Sequence, residues 1–348
     1  MEVDSIVSCK LLFGNAVSAE SVSILMRSRL QSAARRMGFS DAARDDMALV
    51  AAEMISNQIK HAQGKGMLQI WQQPGPSLDL VAMDYGPGIE NIRIACQDGY
   101  STTNTLGKGL GSISRLSDES AVYSIPRSCN RDQKWHGAMF WARFHLNKEK
   151  SAPRNGAPRA SAAIFTRALS DDRYNGDRVV FDLDEEHLRW MHFDGLGHGL
   201  EAQQVTSHLE NLLPQSNTPT ELFNVLDRRL VSTRGAVAIL GEVNCREKRG
   251  RLLGVGDMSA QLVLDDEPQR VSFAPGILGK EHKTPRANEF RFEKKMTLVT
   301  ASDGIRHGWE PEHFPALFNQ HPQVIAYVLG NTMGRVSDDQ SLCVMQIH

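Results

Sequence analysis

Residues 178–183 and 188–193 alternate or run apolar, and the four residues between them are polar. This pattern predicts a β-hairpin. If the middle two of those four residues form the loop, counting outward places Asp177 opposite Asp194. Directly opposed residues have Cβ atoms about 4.5–5.5 Å apart, and two bare carboxylates that close repel unless a proton or cation lies between them. The pattern therefore predicts a divalent-metal site at this end of the hairpin.

Acidic residues stand where this hairpin and further predicted strands begin or end, beside glycine or another acid. They are Asp194 before the glycine-rich turn 195–199, Asp303 after the apolar run Met296–Ala301, and the pair Asp338-Asp339 before a strand predicted at 341–347. Carboxylates, backbone carbonyls and waters are the ligands that hard divalent ions prefer. Two-metal hydrolases hold their ions about 3.5–4 Å apart, where the ions activate water and neutralise phosphoryl oxygens. These positions therefore predict a shared metal site at one edge of a β core.

The order of these motifs resembles the SpoIIE/RsbX branch of the PPM (PP2C-like) serine/threonine phosphatases over about residues 163–348. A single Asp-Gly pair would indicate only a turn. The resemblance implies two Mn²⁺ or Mg²⁺ ions, with Asp338 preferred over Asp339 because the family's ligand is the first residue of its final acidic pair. The implied ligands are Asp177, Asp194, the carbonyl of Gly195, Asp303 and Asp338.

A different chemistry is predicted for the first half of the chain. The segment Asp41–Ala62 has the pattern of an amphipathic helix, which its first residue or Ser40 can cap. Its apolar residues gather on one side, whereas Glu53, Asn57 and Lys60 gather on the other. Glu53 and Asn57 lie one turn apart, so a carboxylate able to act as a base is next to an amide oxygen able to bind a cation. Alone, this spacing would favour a solvated helix face.

Two glycine-containing segments follow this helix. A hairpin predicted at 67–72 and 78–83 leads into the sequence DYGPG, residues 84–88, and the sequence GKGLGS occupies residues 107–112. Glycines at alternate positions let backbone N–H groups approach phosphate oxygens, and the N-terminus of a following helix favours an anion. The second segment lacks the spacing of a Walker loop.

Together with Glu53 and Asn57, these segments resemble the N, G1 and G2 boxes of the GHKL ATPase/kinase fold over about residues 5–146, and most closely the RsbT type of small serine kinase in bacterial sigma-factor switches. The resemblance implies that Asn57 binds the Mg²⁺ of ATP, that Glu53 orients or deprotonates the attacking hydroxyl, and that Asp84 accepts a hydrogen bond from adenine. For Lys60 and Lys108 two alternatives are open: each lysine neutralises phosphate charge, or it is only a surface residue. The implied nucleotide-binding residues are Asn57, Lys60, Asp84, Gly86, Gly88, Thr102, Thr103, Gly107, Lys108, Gly109, Leu110, Gly111 and Ser112.

The sequence departs from that family before the last predicted strand of the domain. The family usually has Gly-Thr-Thr there, where a threonine helps to hold adenine through water, and this chain has Gly137-Ala138-Met139. The missing hydroxyl predicts weaker nucleotide binding.

A polar, basic segment rich in Pro, Gly, Ala and Ser, residues 147–162, predicts a flexible linker between domains 1–146 and 163–348. Formal net charge is −2, so no global basic field indicates nucleic acid. Neither a signal peptide nor an apolar stretch of about 18 residues is evident, and a soluble cytoplasmic protein is expected. Five widely spaced cysteines form no zinc or redox motif and are expected to be buried, reduced thiols.

The expected fold class is α/β (α+β) in two domains: an N-terminal GHKL α/β sandwich and a C-terminal PP2C-like β-sandwich flanked by helices. The expected function is a protein kinase opposed by a phosphatase on STAS-domain partners, with ATP, Mg²⁺ and Mn²⁺ as cofactors and homodimerisation left open. The alternative is a nucleotide-gated binding or anti-sigma module fused to an active phosphatase. A sensor histidine kinase is disfavoured, because no helix pair with a phospho-acceptor His precedes the ATP-binding region.

Overall fold

The computed structural model describes residues 9–17, 21–95, 109–129, 133–147, 159–171, 173–184 and 186–348. The backbone divides into two compact units. The N-terminal unit comprises Lys10–Ala152 with Glu312–Gln320, and the C-terminal unit comprises Met1–Cys9, Pro153–Pro311 and His321–His348. Most of the predicted linker lies outside the described residues.

The N-terminal unit is an α/β sandwich. Its elements are β1 (Lys10–Val17), α1 (Ser21–Met37), α2 (Asp41–Ala62), β2 (Gly66–Gln73), β3 (Ser77–Asp84), α3 (Ile92–Ala95), α4 (Gly109–Leu116), β4 (Glu119–Ile125) and β5 (Gly137–His145). The strands form one antiparallel sheet in the order β1-β2-β3-β5-β4. Met26 of α1, Met54 of α2 and Ile113 of α4 pack in one core with Leu80 and Phe140 of the sheet. The predicted hairpin at β2 and β3 is confirmed.

Helix α2 has the bounds that its pattern predicts. Ser40 caps it, since its Oγ accepts a hydrogen bond from the backbone N–H of Ala43 at 3.2 Å. The apolar side is buried, whereas Glu53 and Asn57 are partly exposed and Lys60 is exposed. The helix is also tied to the sheet by Gln58, whose Nε2 donates to the carbonyls of two neighbouring strands, at 2.8 Å on β2 and 3.2 Å on β3. This side of α2 therefore has a fixed position above the sheet.

The C-terminal unit is a β-sandwich flanked by helices. Its elements are β6 (Ala160–Arg167), β7 (Arg178–Leu183), β8 (His187–Gly195), α5 (Gly199–Thr206), α6 (Pro219–Leu230), β9 (Ala236–Asn244), β10 (Arg249–Val255), β11 (Ser259–Leu264), β12 (Glu267–Val271), β13 (Asn288–Arg291), β14 (Met296–Ala301), α7 (Pro322–Met333) and β15 (Gln340–Ile347). We call the sheet β13-β10-β9-β8-β7 the front sheet and the sheet β12-β11-β14-β15-β6 the back sheet.

Each sheet buries its outer face under helices. Val205 of α5 and Leu226 of α6 share a core with Phe193 and Leu240 of the front sheet. Helix α7 packs on the back sheet so closely that a Cβ added at Gly330 would lie 2.6 Å from the Phe165 ring. The inner faces of the two sheets meet between these layers, where Thr300 and Ser341 of the back sheet contact His192 of the front sheet.

The hairpin predicted from residues 178–193 is confirmed together with its register. Phe181 pairs with Trp190 and Leu183 with Leu188, as counting outward from a two-residue loop requires. The strands predicted at Met296–Ala301 and 341–347 also form, and they pair with each other in the back sheet. The front and back sheets therefore deliver their acidic residues from the strand ends that the sequence predicts.

No helix in the described ranges is long and apolar enough to span a membrane. The expectation of buried, reduced cysteines holds for Cys9, Cys245 and Cys343, which are free and buried. It is wrong for Cys129, which is exposed because it lies in the turn after β4 rather than in a strand or helix. The remaining cysteine lies outside the described residues.

Candidate functional sites

Asp84, at the end of β3, is held by backbone amides from two sides. Its side chain is only 5% exposed. Its Oδ1 accepts hydrogen bonds from the N–H of Gly86 at 2.8 Å and of Ala138 at 3.1 Å. Burial raises the pKa of this carboxyl, and the two amide bonds oppose that shift. Because Oδ1 is engaged in this way, Oδ2 is the oxygen placed to accept a hydrogen bond from a ligand.

Two glycines make this loop geometrically possible. Gly88 has φ of +76°, and a Cβ there would lie 2.5 Å from the carbonyl oxygen of Ile125. Gly137 has φ of +138°, and a Cβ there would lie 2.1 Å from the carbonyl oxygen of Asp84. Both the left-handed backbone and the close approach require glycine. The segment that departs from the family pattern therefore supports Asp84 directly, through Gly137 and the backbone of Ala138.

The polar side of α2 carries an unpaired buried amide. Asn57 Nδ2 is buried and has no hydrogen-bond partner among the described residues. The oxygen and nitrogen of an Asn amide can exchange places by a flip of the side chain, and a buried polar atom without a partner is unfavourable. The amide of Asn57, one turn after Glu53, is therefore in the condition expected of a group that completes its contacts with a ligand.

Several predicted nucleotide-binding residues lie outside the described part of the chain, namely Thr102, Thr103, Gly107 and Lys108. The rest of that loop begins α4. Gly109 is the first residue of the helix, and Gly111 and Ser112 lie in its first turn. Ile113 fixes this helix by packing into the core that α2 also enters. The helix thus begins at Gly109, inside the segment 107–112 that the sequence predicts to be a phosphate-binding loop, rather than after it.

In the C-terminal unit, Asp177 and Asp194 stand at the end of the β7–β8 hairpin. The hydrogen bond from Gly195 N to Gly176 O, 3.3 Å long, continues the hairpin register and leaves the two aspartates opposite each other. Asp177 is 4% exposed, and its Oδ2 accepts a hydrogen bond from Ser341 Oγ at 2.7 Å. Its Oδ1 is buried and has no partner among the described residues. One carboxylate oxygen is therefore tied, and the other is available.

The carboxylates of this edge are close enough to raise one another's pKa values. The pKa of Asp177 is raised by burial and then by Asp339 and Asp303, although hydroxyl groups from Ser302 and Ser341 oppose the shift. The pKa of Asp194 is raised by burial and then by neighbouring carboxylates. These neighbours are Asp177, Asp303, Asp338 and Asp257. Burial and Asp338 likewise raise the pKa of Asp303. Unfavourable negative charge is thus concentrated where the sequence predicts cations.

The last two acidic residues have different surroundings. Asp339 is 3% exposed, and its two oxygens accept hydrogen bonds from the backbone N–H groups of Leu169 and Gly176, each at 2.7 Å. Asp338 is partly exposed, and its Oδ1 accepts only the N–H of Asp339, at 2.9 Å, among the hydrogen bonds found for it. Asp339 therefore holds together the segments that follow β6 and precede β7, whereas Asp338 retains oxygens for a ligand.

The donor set fits a hard divalent cation. It consists of carboxylates with a backbone carbonyl at Gly195, where a Cβ would lie 2.7 Å from the carbonyl oxygen of Ala202 and so exclude any side chain. No group of three or more His, Cys, Asp or Glu side chains in the described ranges is already arranged to hold a metal ion. The orphaned Oδ1 of Asp177 and the raised pKa values nevertheless support a cation site here.

Sequence reasoning missed four residues that support these sites. Gln58 ties α2 to the sheet. Trp135 donates its Nε1–H to the Asp84 carbonyl at 2.9 Å. Ser341 donates to Asp177, and His192 contacts Ser341. Only Ser341, which follows the acidic pair, lies in a motif that could have indicated it; the other three depend on contacts between distant segments.

Different known proteins resemble the two units of this chain. A family model described as a histidine kinase-like ATPase domain matches residues 16–130. The serine/threonine-protein kinase RsbT of Bacillus subtilis (strain 168) is 33% identical over 98 residues, which are 27% of this chain and 73% of RsbT.

Two solved structures have a TM-score of 0.50 to this chain. One, described as "The bacterial stressosome: a modular system that has been adapted to control secondary messenger signaling", is 25% identical and covers 53% of this chain and 98% of its own. The other is RsbX in complex with magnesium, which is 18% identical and covers 56% of this chain and 98% of its own. At that identity, the likeness to RsbX concerns the fold. The chain thus belongs, through its N-terminal unit, to the RsbT family of serine/threonine-protein kinases, fused to a C-terminal unit with the PP2C-like fold of RsbX.

Proposed function

We propose that this chain is a bifunctional enzyme of a partner-switching pathway: a protein serine/threonine kinase and a metal-dependent phosphoserine/phosphothreonine phosphatase that act on STAS-domain regulators. In this proposal the kinase comprises residues 1–146 and the phosphatase residues 163–348, joined by the linker 147–162. The observation that carries it is the pair of half-engaged carboxylates, Asp84 and Asp177, each with one oxygen tied by the protein and the other available.

The phosphatase half would hold Mn²⁺ or Mg²⁺ with Asp177, Asp194, the Gly195 carbonyl, Asp303 and Asp338. Bound there, the ions would supply water activation and neutralisation of the phosphoryl oxygens. The protein contributes the fixed geometry. Asp177 is oriented by Ser341, and Asp339 holds the segments of Leu169 and Gly176 against the start of β15.

The kinase half would transfer the γ-phosphoryl group of ATP to a serine or threonine hydroxyl of the partner. Asp84 Oδ2 would accept the adenine amino hydrogen, and Asn57 would contribute its amide oxygen to the Mg²⁺ of the nucleotide. Glu53 would orient the attacking hydroxyl and take its proton as the new oxygen–phosphorus bond forms and ADP leaves. Lys60 would neutralise phosphate charge from the same side of α2.

The proposed partner follows from the family membership of the kinase half. The RsbT relative and the stressosome structure both support a partner of the stressosome or anti-anti-sigma kind, which in that family resemblance is a STAS-domain protein. ATP, Mg²⁺ and Mn²⁺ are the cofactors that this assignment requires.

A second candidate function is a nucleotide-gated binding or anti-sigma module beside an active phosphatase. The observation that favours it is Ala138, which stands where the family has a threonine hydroxyl and which contributes only its backbone N–H to Asp84. Under this alternative, the N-terminal unit would bind ATP and the partner without transferring phosphate.

The test follows phosphorylation of a STAS partner in time, with wild type, Asp194→Asn and Glu53→Ala, at several concentrations of ATP and Mn²⁺. We expect Asp194→Asn to accumulate phosphorylated partner and Glu53→Ala only to remove phosphate. Asp265→Asn is the matched control, because Asp265 is an exposed acid paired with Lys294 away from the acidic edge.

If Asp194→Asn yields no phosphorylated partner although binding is verified, the kinase assignment fails and the binding module replaces it. Full phosphatase activity in excess EDTA would contradict the metal assignment.

A further inference from the structure

A histidine lies fully buried between the two sheets of the C-terminal unit, directly beneath the acidic edge. His192 is on β8, two residues before Asp194, and is 0% exposed. Its Nδ1 lies 2.9 Å from Thr300 Oγ1 on β14, and its Nε2 lies 2.7 Å from Ser341 Oγ on β15. Ser341 Oγ is in turn 2.7 Å from Asp177 Oδ2. Four side chains, three from strands and one from the residue that precedes β7, therefore form one continuous hydrogen-bonded network.

The donor and acceptor roles in this hydrogen-bonded network follow from the number of protons that each group can donate. Both ring nitrogens of the fully buried His192 face hydroxyl groups, and a neutral imidazole has one donor and one acceptor nitrogen. Ser341 donates its single hydroxyl proton to Asp177 Oδ2. Ser341 can then only accept from His192, which assigns the imidazole proton to Nε2 and leaves Nδ1 to accept from Thr300.

We propose that His192 is a positioning residue of the metal site: it holds the Ser341 hydroxyl as a donor to Asp177 Oδ2, so that Asp177 is presented as an oriented carboxylate with Oδ1 directed to the cation. This inference rests on the proposed phosphatase function. The orphaned, buried Oδ1 of Asp177 is the oxygen that this arrangement leaves for a ligand.

The position of His192 explains why a histidine is needed there. Thr300 and Ser341 are both 0% exposed, so no bulk water can replace the imidazole as a donor to Ser341. If the Nε2–H were lost, the Ser341 hydroxyl would lose its acceptor role and could turn away from Asp177. Partners that orient a metal ligand typically change metal affinity by about 10- to 100-fold when they are removed.

The first experiment measures Mg²⁺ binding to the intact protein by titration calorimetry. We expect His192→Leu and Ser341→Ala to weaken Mg²⁺ binding by about 10- to 100-fold. His192→Gln is the conservative variant, because its amide N–H can replace the Nε2–H, and it should retain most of the affinity. Thr297→Val is the matched control, a buried hydroxyl on the same strand as Thr300 that is not part of this network.

The second experiment needs no variant. Nitrogen-15 NMR of the Mg²⁺-loaded wild type should show His192 as a neutral imidazole with its proton on Nε2, an outcome that a merely space-filling histidine would not require. A proton on Nδ1, or a charged imidazolium, would overturn the inference even if His192→Leu proved unable to fold.

The outcomes separate this inference from the function on which it rests. If wild type binds no Mg²⁺ or Mn²⁺ at millimolar concentration, the metal assignment itself fails. If wild type binds Mg²⁺ and a folded His192→Leu or Ser341→Ala binds it equally well, the phosphatase assignment stands and the positioning role of His192 is wrong. Equal losses in His192→Gln and His192→Leu would also overturn it, since the restored donor would then have no effect.

Discussion

The neighbouring residues Asp338 and Asp339 should respond in opposite ways to the same isosteric substitution. Asp339 uses both oxygens to accept backbone N–H groups, from Leu169 and Gly176, at 2.7 Å each. An asparagine can keep only one of these bonds, because its NH₂ group would face the other N–H. In Asp338→Asn, by contrast, the amide oxygen can keep the single bond from the N–H of Asp339. We therefore expect Asp339→Asn to damage stability and Asp338→Asn to damage metal binding.

The size of the stability loss follows from these bonds. A hydrogen bond to a charged group contributes about 1.5–3 kcal/mol. Burial and the nearby Asp338 raise the pKa of Asp339, so its charge is itself unfavourable and part of the loss is offset. We expect a net loss of about 1–3 kcal/mol, which corresponds to a fall of about 2–12 °C in the melting temperature of a domain of this size.

The assay is thermal unfolding of both variants in EDTA, followed by calorimetric titration with Mg²⁺. Asp338→Asn should melt at or slightly above the wild-type temperature, because one repelling carboxylate is gone, and should bind Mg²⁺ far more weakly. A larger melting-temperature loss in Asp338→Asn than in Asp339→Asn would refute the reasoning. Wild-type Mg²⁺ affinity in Asp338→Asn would transfer the ligand role to Asp339 or remove it from this pair.

Three further outcomes are expected. Asp84→Asn should keep its amide oxygen on the Gly86 and Ala138 N–H groups and turn an NH₂ toward adenine, so ATP affinity should fall about 10- to 100-fold, measured as the loss of ATP-induced thermal stabilisation. The pKa values of Asp177 and Asp194 are raised, so the metal-free folded state holds protons that the unfolded chain loses above pH about 4. The free energy of unfolding, measured with urea in EDTA, should therefore fall from pH 5 to pH 8. This fall should be less steep in Asp194→Asn, because one of the two raised groups is gone. Gly137→Ala should fail to accumulate as soluble protein in expression trials, since its Cβ would lie 2.1 Å from a carbonyl oxygen and its φ is +138°.

The parts of the fold that the sequence predicts are those set by local periodicity. Helix α2 begins and ends where its apolar period and cap predict, and the β7–β8 hairpin has the register obtained by counting from a two-residue loop. A period of two fixes which side chains share a face of a hairpin, so the opposition of Asp177 and Asp194 follows from the amino-acid sequence alone. The metal-ligand roles that follow from it remain predictions.

The supporting contacts could not be predicted in this way, because they join segments that are distant in sequence. His192 meets Ser341 across 149 positions, and Gly176 meets Asp339 across 163. No local period reports such pairings. His192 in particular has the pattern of an ordinary core residue, as an alternating strand predicts, and only the partners of its two nitrogens distinguish it from one.

Asp84 and Asp177 are held in the same way, but the two positions differ in how the hydrogen bond would accommodate an Asp→Asn substitution. Each has a carboxylate with one oxygen tied by the protein and the other left for a ligand. At Asp84 the tie comes from backbone N–H groups, which can only donate, so an asparagine there must place its NH₂ toward the ligand. At Asp177 the tie comes from a hydroxyl, which can donate or accept, so an asparagine could in principle turn its oxygen to the ligand. The donor direction proposed for His192 removes that freedom, because a Ser341 that accepts from imidazole must donate to residue 177. The fixed direction of these hydrogen bonds would therefore make position 177 selective for a carboxylate, as the backbone N–H groups make position 84.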